Sequence, residues 1–335
     1  MLNFTEYDFM INSPVKCANL RIIGALSTLL FALCLVFNSI LLWVFLKYKN
    51  LRSPINVFIT ALTISNLVGS ILEFPFIIAI LFLWVFRYIG CVFSGFVMYF
   101  VGCLSIYLMM AISFERYHII KNPFGVSKVK IQTTYLSILI CVLLALLWSV
   151  LPMMGWSYYS LEGALTSCSV EWKDRSLNVV SYNVTVFLLV YFIPLLAIIR
   201  VNFKLIFMIR GLQQILKKKN TIESRRIIIE RNSTVVMILI IIGFIISWTP
   251  YAITSMYTAF INPSGVSPLV ATLPSLFAKS SMLWPSVLYI FSSPNIKRLV
   301  LKLFMTKRKK RINSCNKNIY RKANLRHLKM RHLMI

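Results

Sequence analysis

Residues 22–46 read IIGALSTLLFALCLVFNSILLWVFL, a stretch that contains no charged side chain. About 20 consecutive apolar residues are enough for a helix to cross the ~30 Å hydrocarbon core of a bilayer. Similar stretches recur, and we predict helices at 22–46, 55–84, 90–121, 131–154, 180–209, 233–258 and 269–291. One such stretch is also typical of a core helix in a large soluble protein, but seven in 335 residues are not. The sequence therefore predicts an all-α membrane protein, a bundle of seven transmembrane helices.

Composition and charge support this fold and indicate its orientation. Hydrophobic residues make up 59% of the chain and charged residues 13%, against about half and about a quarter in soluble domains. Much of the net charge of +27 lies between Lys297 and Arg331, where fourteen Lys and Arg occur without any Asp or Glu. Cationic segments stay on the cytoplasmic side, so we predict a multi-pass protein of the plasma membrane with its N-terminus extracellular and its C-terminus cytoplasmic. Such a tail suits anionic membrane lipids, and no nucleic-acid partner is predicted.

The segments outside the helices differ in character. The start, MLNFTEYDFMINSP, is polar and shows no cleavable signal peptide, and Asn3 in Asn-Phe-Thr is a candidate glycosylation acceptor. After Pro294, IKRLVLKLF alternates basic and apolar residues at helical spacing, which is typical of an amphipathic helix at the inner interface. We predict an extracellular N-terminus at 1–21, a seven-helix transmembrane domain at 22–291, a short amphipathic eighth helix at 292–305 and a basic cytoplasmic tail at 306–335.

Two ionisable side chains lie deep inside predicted helices. Lys279 is about ten residues into the last helix, and Glu73 lies in the second. A charge at the bilayer centre costs about 2.5–3.5 kcal/mol on insertion scales, so each residue is a candidate for function. A buried amine loses its charge readily and becomes nucleophilic towards an aldehyde. From the residues alone, Lys279 is either such a nucleophile or one half of a structural ion pair.

Five motifs together point to one family. They are LFAKSS at 276–281, GWSYYSLE at 155–162, CSVEW at 168–172, ERY at 115–117 and SWTPY at 247–251. With these motifs the chain resembles the animal opsins, retinal-binding rhodopsin-like class A G-protein-coupled receptors, of a non-visual or invertebrate type. The resemblance covers about residues 22–305.

The resemblance implies a light-sensing receptor, which is not an enzyme. It implies that 11-cis retinal is attached to Lys279 through a protonated Schiff base, and that Cys91 and Cys168 form a disulfide on the outer side. The other implied pocket residues are Tyr99, Gly102, Phe187, Tyr191, Trp248 and Tyr251. No metal site is predicted.

The implied partners are a heterotrimeric G protein and membrane lipids. The sequence gives little support for control by arrestin, because the tail beyond Pro294 offers only Thr306 and Ser314 as phosphate acceptors.

At the inner face the resemblance implies an activation switch. Its members are Glu115, Arg116, Tyr117, Glu230 and Tyr289. An ion pair between Arg116 and Glu230 would join helices three and six and oppose an outward movement of helix six. Two unrelated interfacial charges are the alternative interpretation.

A protonated nitrogen in a dry pocket needs a carboxylate nearby, and the chain contains only nine acids. Glu162 matches the acid of the family's outer loop, so we rank it first as counterion. Glu73 is its partner or rival. It follows Asn66 by two helical turns, and Lys279 precedes Pro285 by six residues. The resemblance implies that the positions of Asn66 and Pro285 are neighbours, so Glu73 should lie at about the depth of Lys279. A neutral, hydrogen-bonded glutamic acid is the alternative for Glu73.

Three positions depart from the family pattern. Pro285-Ser286 stands where an asparagine-proline pair is usual, and Asn202 replaces a tyrosine of helix five. These two departures weaken the expectation of efficient G-protein activation. Ser94 occupies the helix-three position of the counterion in vertebrate visual opsins, so the counterion of this chain must lie elsewhere.

Two other functions stay open. A retinal photoisomerase would share the fold and the lysine, and the departure at Pro285-Ser286 favours it. The retained Glu115-Arg116-Tyr117 and Glu230 favour a signalling receptor, because an isomerase needs no cytoplasmic ion pair. A chemoreceptor for a diffusible ligand that kept the lysine is the third possibility.

Overall fold

The computed structural model describes residues 15–48, 51, 53–82, 87–121, 130–165, 167–216, 222–294 and 296–302. All seven predicted helices are present. They are α1 (Cys17–Lys47), α2 (Pro54–Phe82), α3 (Arg87–Lys121), α4 (Ile131–Val150, continued by a 3-10 turn at Leu151–Met154), α5 (Leu177–Val186, a π-helical segment at Phe187–Phe192, then Ile193–Leu216), α6 (Ile222–Met256, continued by a π-helical segment at Tyr257–Ile261) and α7 (Pro268–Lys279, a 3-10 turn at Ser280–Met282, then Trp284–Ser292). The predicted fold class is confirmed.

The surface of the bundle is that of a membrane protein. Six helices are long and apolar enough to cross a membrane, judged by length and composition. Large hydrophobic side chains such as Leu46, Leu196 and Phe203 are more than half exposed. The seventh helix, α7, is divided by its 3-10 turn into segments shorter than 18 residues. The chain is therefore a multi-pass membrane protein, in which polar side chains within the helices need partners inside the bundle.

Helix α3 lies at the centre of the bundle. It packs against α2, α4, α5 and α6, and its outer end contacts the loop between α4 and α5. Leu108, Met109 and Ile112 in its middle are almost completely enclosed. Because α3 has neighbours on every side, the groups that it carries can link several helices at once.

The loop between α4 and α5 contains a hairpin that the sequence did not predict. Its strands are β1 (Tyr159–Glu162) and β2 (Ser167–Val170), which pair antiparallel. Gly163 in the turn has a φ of +56°, and a Cβ there would lie 2.3 Å from the hydroxyl of Thr272 on α7. The turn therefore requires glycine both for its backbone conformation and for its close approach to α7. The amide of Ala164 donates to the same hydroxyl at 2.7 Å, which fixes the hairpin to α7.

The connection between α5 and α6 is shorter than the sequence predicted. The connection expected at 210–232 is largely helical, since α5 continues to Leu216 and α6 begins at Ile222. The predicted boundaries follow the ends of the apolar stretches. Residues such as Glu and Arg also favour a helix, so α5 and α6 extend beyond those ends. Residues 296–302 are helical and lie inside the predicted amphipathic helix. Asn3 and the basic tail at 306–335 lie outside the described residues.

Candidate functional site

Lys279 is the last residue of the first segment of α7, and only 2% of its surface is exposed. Its Nζ lies 3.3 Å from Oε1 of Glu73 on α2 and 3.5 Å from Oγ of Ser275 on its own helix. The predicted equal depth of Glu73 and Lys279 is thereby confirmed. Two opposite charges in contact offset part of the free energy that each loses on leaving water.

Glu73 is completely enclosed, with 0% of its surface exposed. Its Oε2 accepts a hydrogen bond of 2.8 Å from the hydroxyl of Ser94 on α3, while its Oε1 faces the amine of Lys279. An ionised carboxylate inside a protein must be paired and hydrogen-bonded. Glu73 meets both requirements, one with each oxygen.

Glu162, the last residue of β1, reaches Lys279 through a hydroxyl. Ser275 donates to Oε1 of Glu162 at 2.6 Å and accepts from the Lys279 amine at 3.5 Å. A second serine, Ser167, donates to the same carboxylate oxygen at 3.1 Å. Ser275 therefore lies between the amine and this acid.

The other carboxylate oxygen of Glu162 accepts a hydrogen bond from the phenol of Tyr251 on α6. The hydroxyl of Tyr251 lies 3.0 Å from Oε2 of Glu162, and the indole N–H of Trp172 donates to the same hydroxyl at 3.2 Å. An indole nitrogen only donates, so the phenol oxygen is the acceptor in that bond and its proton is directed towards Glu162. Each carboxylate oxygen of Glu162 therefore accepts a hydrogen bond from a side-chain hydroxyl.

An apolar cavity of about 90 Å³ lies between α3, α5 and α6. Its lining includes all six predicted pocket residues, namely Tyr99, Gly102, Phe187, Tyr191, Trp248 and Tyr251. A second cavity of about 30 Å³ lies beside Lys279 and Glu162 and shares Tyr99, Trp248 and Tyr251 with the first. The smaller cavity thus lies beside the buried amine, and it shares these three side chains with the larger, aromatic cavity.

The outer hairpin is attached to α3 by a covalent bond and by packing. Cys168 in β2 forms a disulfide with Cys91, as the family resemblance implied. The hydroxyl of Tyr159 in β1 donates to the carbonyl of Ser149 at 2.8 Å. Burial raises the pKa of Tyr159 above its ordinary value, which keeps the phenol neutral. A Cβ at Gly95 would lie 2.7 Å from the Tyr159 ring, so a glycine on α3 makes room for it.

At the inner face, Arg116 holds two carboxylates. It makes two contacts with the adjacent Glu115, of 2.5 and 2.7 Å, and its Nη1 lies 3.0 Å from Oε2 of Glu230 on α6. Arg116 is buried, whereas about a third of the Glu230 side chain is exposed. The expected ion pair between α3 and α6 is therefore present. Tyr117 takes no part in it, and its ring faces the amine of Lys121.

The unusual Pro285-Ser286 pair has a distinct set of contacts. The hydroxyl of Ser286 donates to Oδ1 of Asn38 on α1 at 2.5 Å. The amide nitrogen of Asn38 donates to the backbone carbonyl of Met282 at 3.1 Å, in the 3-10 turn of α7. Asn38 therefore joins α1 to the break in α7 and to the segment that follows it.

Two further polar contacts lie in the inner half of the bundle. The hydroxyl of Tyr289 on α7 donates to the side chain of Asn56 on α2, and not to a member of the predicted switch. Asn202 on α5 donates to the hydroxyl of Ser113 on α3 at 2.9 Å. The asparagine that replaces a tyrosine thus links α5 to α3.

Sequence reasoning missed the roles of Ser94 and Ser275, whose hydroxyls complete the site. Ser275 precedes Lys279 by four residues and so shares its helix face, which was a usable signal. Nothing in the spacing indicated that Ser94 contacts α2. Cys34, Cys103 and Cys141 are buried and form no disulfide.

Comparisons with known proteins agree with this architecture. The family described as 7 transmembrane receptor (rhodopsin family) matches residues 37–287. A G0-coupled rhodopsin of Mizuhopecten yessoensis is 34% identical over 90% of this chain and 76% of its own length. The rhodopsin of Todarodes pacificus and a Gq-coupled rhodopsin of M. yessoensis are 30% and 32% identical, and the chain spans only 62% and 58% of their lengths. A crystal structure of squid rhodopsin superposes with a TM-score of 0.80 at 28% identity, covering 87% of this chain and 86% of that one.

Proposed function

The chain belongs to the rhodopsin family of seven-transmembrane receptors, and on that premise we propose that it is a light-sensing receptor that signals through a G protein. The observation that carries the proposal is the environment of Lys279. Its amine is enclosed within the membrane-spanning bundle, contacts the carboxylate of Glu73, and lies beside a cavity that shares three side chains with a larger aromatic cavity. Relatives named as G0-coupled and Gq-coupled rhodopsins support the choice of partner.

We propose that the ligand held by Lys279 is retinal, in its 11-cis form before illumination. When bound, retinal would supply the absorption of light and a rotation about one double bond. The residues present suit such a group, because a buried amine and an apolar aromatic lining are what an apolar aldehyde requires. An elongated ligand has to occupy both cavities, so the shared side chains of Tyr99, Trp248 and Tyr251 must separate to admit it.

The acids near Lys279 would keep its nitrogen protonated. An opposite charge at close range favours the charged form of a buried base. Glu73 makes this contact directly, and Glu162 makes it through Ser275. The hydroxyls around both acids orient their carboxylates and compensate for the missing water.

Signal transfer to the inner face would follow α6. Trp248 lines both cavities, and Glu230 lies on the same helix about five turns towards the inner side. The pair between Arg116 and Glu230 holds α6 against α3. We propose that a change of ligand shape beside Trp248 moves α6 outward and breaks this pair, which opens a cytoplasmic face to a heterotrimeric G protein. The receptor would lie in the plasma membrane with its N-terminus outside.

The test is reconstitution of the full chain with 11-cis retinal, followed by an absorption spectrum and a light-driven nucleotide-exchange assay with G0 and Gq proteins. A visible or near-ultraviolet pigment that drives exchange on illumination is the expected result. A pigment without exchange would indicate a photoisomerase, and no pigment would indicate a chemoreceptor. Either result would overturn the proposal.

A further inference from the structure

We infer that Glu73 on α2 is the primary counterion of the Lys279 nitrogen and that Ser94 on α3 is the residue that positions it. The inference rests on the proposed attachment of retinal to Lys279. It reverses the order expected from the sequence, in which Glu162 came first. Three observations support it: the contacts of Glu73, the hydrogen bonds that Glu162 receives from hydroxyl groups, and the hydrogen bond from Ser94 to Glu73.

The first observation is that Glu73 and Lys279 depend on each other. Oε1 of Glu73 is buried and receives no hydrogen bond, so the amine 3.3 Å away is its partner. A fully enclosed carboxylate with one hydroxyl donor on its other oxygen stays ionised only beside a cation. In the same way, Lys279 has one carboxylate in contact and one hydroxyl. Removal of either charge leaves the other buried without an opposite charge, which destabilises the protein.

The second observation is that Glu162 does not depend on the amine. Three hydroxyl groups donate to its two oxygens, and the direction of the Tyr251 proton is set by Trp172. Glu162 also borders an outer pocket of about 50 Å³ that is lined by polar loop residues such as Ser160 and Lys173. Its charge is thus stabilised by hydrogen bonds, and its influence on Lys279 passes through Ser275.

The third observation is the position of Ser94. Its hydroxyl is buried and lies 2.8 Å from Oε2 of Glu73. This bond holds one carboxylate oxygen towards α3 and leaves the other facing Lys279. Because the two side chains are in contact across α2 and α3, exchanging them would keep one acid and one hydroxyl in the same space. A carboxylate at position 94 would then approach the nitrogen from α3.

The experiment uses the full chain, purified and reconstituted with 11-cis retinal. The variants are Glu73→Gln, Glu162→Gln, Ser94→Ala, Glu73→Ser, and the exchange Glu73→Ser with Ser94→Glu. Asp174→Asn, which removes a carboxylate from the outer loop, is the matched control. Three quantities are measured: the absorption spectrum as a function of pH, the covalent attachment of retinal after borohydride reduction, and the midpoint of thermal unfolding of the retinal-free protein. The ionisable groups that face Lys279 are Glu73, which contacts the amine directly, and Tyr99, Glu162 and Tyr251, which line the cavity beside it, and each lies on a different element.

We expect Glu73→Gln to keep the covalent attachment but to replace the visible band by a near-ultraviolet band at neutral pH. Asp174→Asn should keep the visible band unchanged, and Glu162→Gln should lower the pH at which the band is lost by less than Glu73→Gln does. Ser94→Ala should lose the visible band at a pH about one unit lower than the unmodified chain does. The lost hydrogen bond to the Glu73 carboxylate weakens its support of the protonated nitrogen, and one such bond changes the proton affinity of that nitrogen about tenfold. The exchange variant should regain the visible band that Glu73→Ser alone has lost. In the retinal-free protein, Glu73→Gln should lower the unfolding midpoint more than Asp174→Asn does.

Other results would overturn the inference. A visible band that survives in Glu73→Gln with unchanged pH dependence excludes Glu73, and its loss in Glu162→Gln assigns the role to that acid. An exchange variant that folds, as judged by its unfolding midpoint, but stays in the ultraviolet would refute the positioning role of Ser94. Absence of covalent attachment in the unmodified chain is a separate result, because it refutes the proposed function itself.

Discussion

Gly102 on α3 faces the indole of Trp248 on α6 so closely that a Cβ at position 102 would lie 2.6 Å from Cη2 of the ring. Gly102→Ala should therefore displace the ring from its place in the cavity, at a cost of about 1–3 kcal/mol in the free energy of unfolding. Thermal unfolding and the absorption spectrum of the reconstituted protein measure both effects. Gly211→Ala is the control, because an added methyl there meets nothing within 4 Å. Equal stability of the two variants would show that the Trp248 ring moves aside without a loss in the free energy of unfolding.

Lys279→Ala should abolish the pigment, because it removes the buried amine that lies at the end of the cavity. The measurement is absorbance after incubation with 11-cis retinal, together with the amount of protein at the membrane. Lys204→Ala, which removes a lysine from the exposed face of α5, should keep both. A normal pigment in Lys279→Ala would refute the assignment of the attachment site.

Glu230→Gln should raise G-protein activation in the dark. It removes the charge that joins α6 to Arg116, while Glu115 still neutralises the arginine. A partly exposed ion pair contributes about 0.5–1 kcal/mol, so we expect a rise of about two- to fivefold in dark nucleotide exchange. Arg231→Gln changes the neighbouring charge without touching this pair and serves as the control. Dark exchange that is the same in all three proteins would mean that the pair does not restrain α6.

Ser286→Ala should destabilise the bundle by removing the hydrogen bond to Asn38. A buried hydrogen bond contributes about 0.5–1.5 kcal/mol. The measurement is a double-mutant cycle of thermal stability with Ser286→Ala, Asn38→Ala and both together. A coupling energy near zero would show that the contact between α1 and α7 adds nothing to stability.

The positions of the helices along the chain were predictable because the hydrocarbon core of a membrane leaves the backbone few alternatives to a helix. Each spanning segment must satisfy its own hydrogen bonds, so a long apolar stretch predicts a helix. The depth of Glu73 and Lys279 followed from a rise of 1.5 Å per residue, counted from Asn66 and Pro285, which the resemblance implied to be neighbours. Their contact at 3.3 Å confirms it. The pairing of Cys91 with Cys168 came from the family resemblance, not from the spacing.

Other features were out of reach for physical reasons. The bond between Ser94 and Glu73 depends on how α2 and α3 are rotated about their axes, which spacing along one helix does not determine. The strands of the outer hairpin alternate polar and apolar residues but are only four residues long, which is the lower limit of length at which alternation indicates a strand. The breaks within α5 and α7 arise inside apolar stretches that read as continuous helix.

The outer hairpin determines how the receptor exchanges its ligand with the surroundings. It is tied to α3 by a disulfide and to α7 through Thr272, and Glu162, Cys168 and Ser169 form part of the wall beside Lys279. A covalently held lid of this kind should shield the nitrogen from water-soluble nucleophiles such as hydroxylamine. The proposed ligand is an apolar aldehyde that dissolves in the bilayer, so we expect it to enter between the helices. The rate at which the receptor is loaded should then follow the concentration of the ligand in the lipid and not in the aqueous phase.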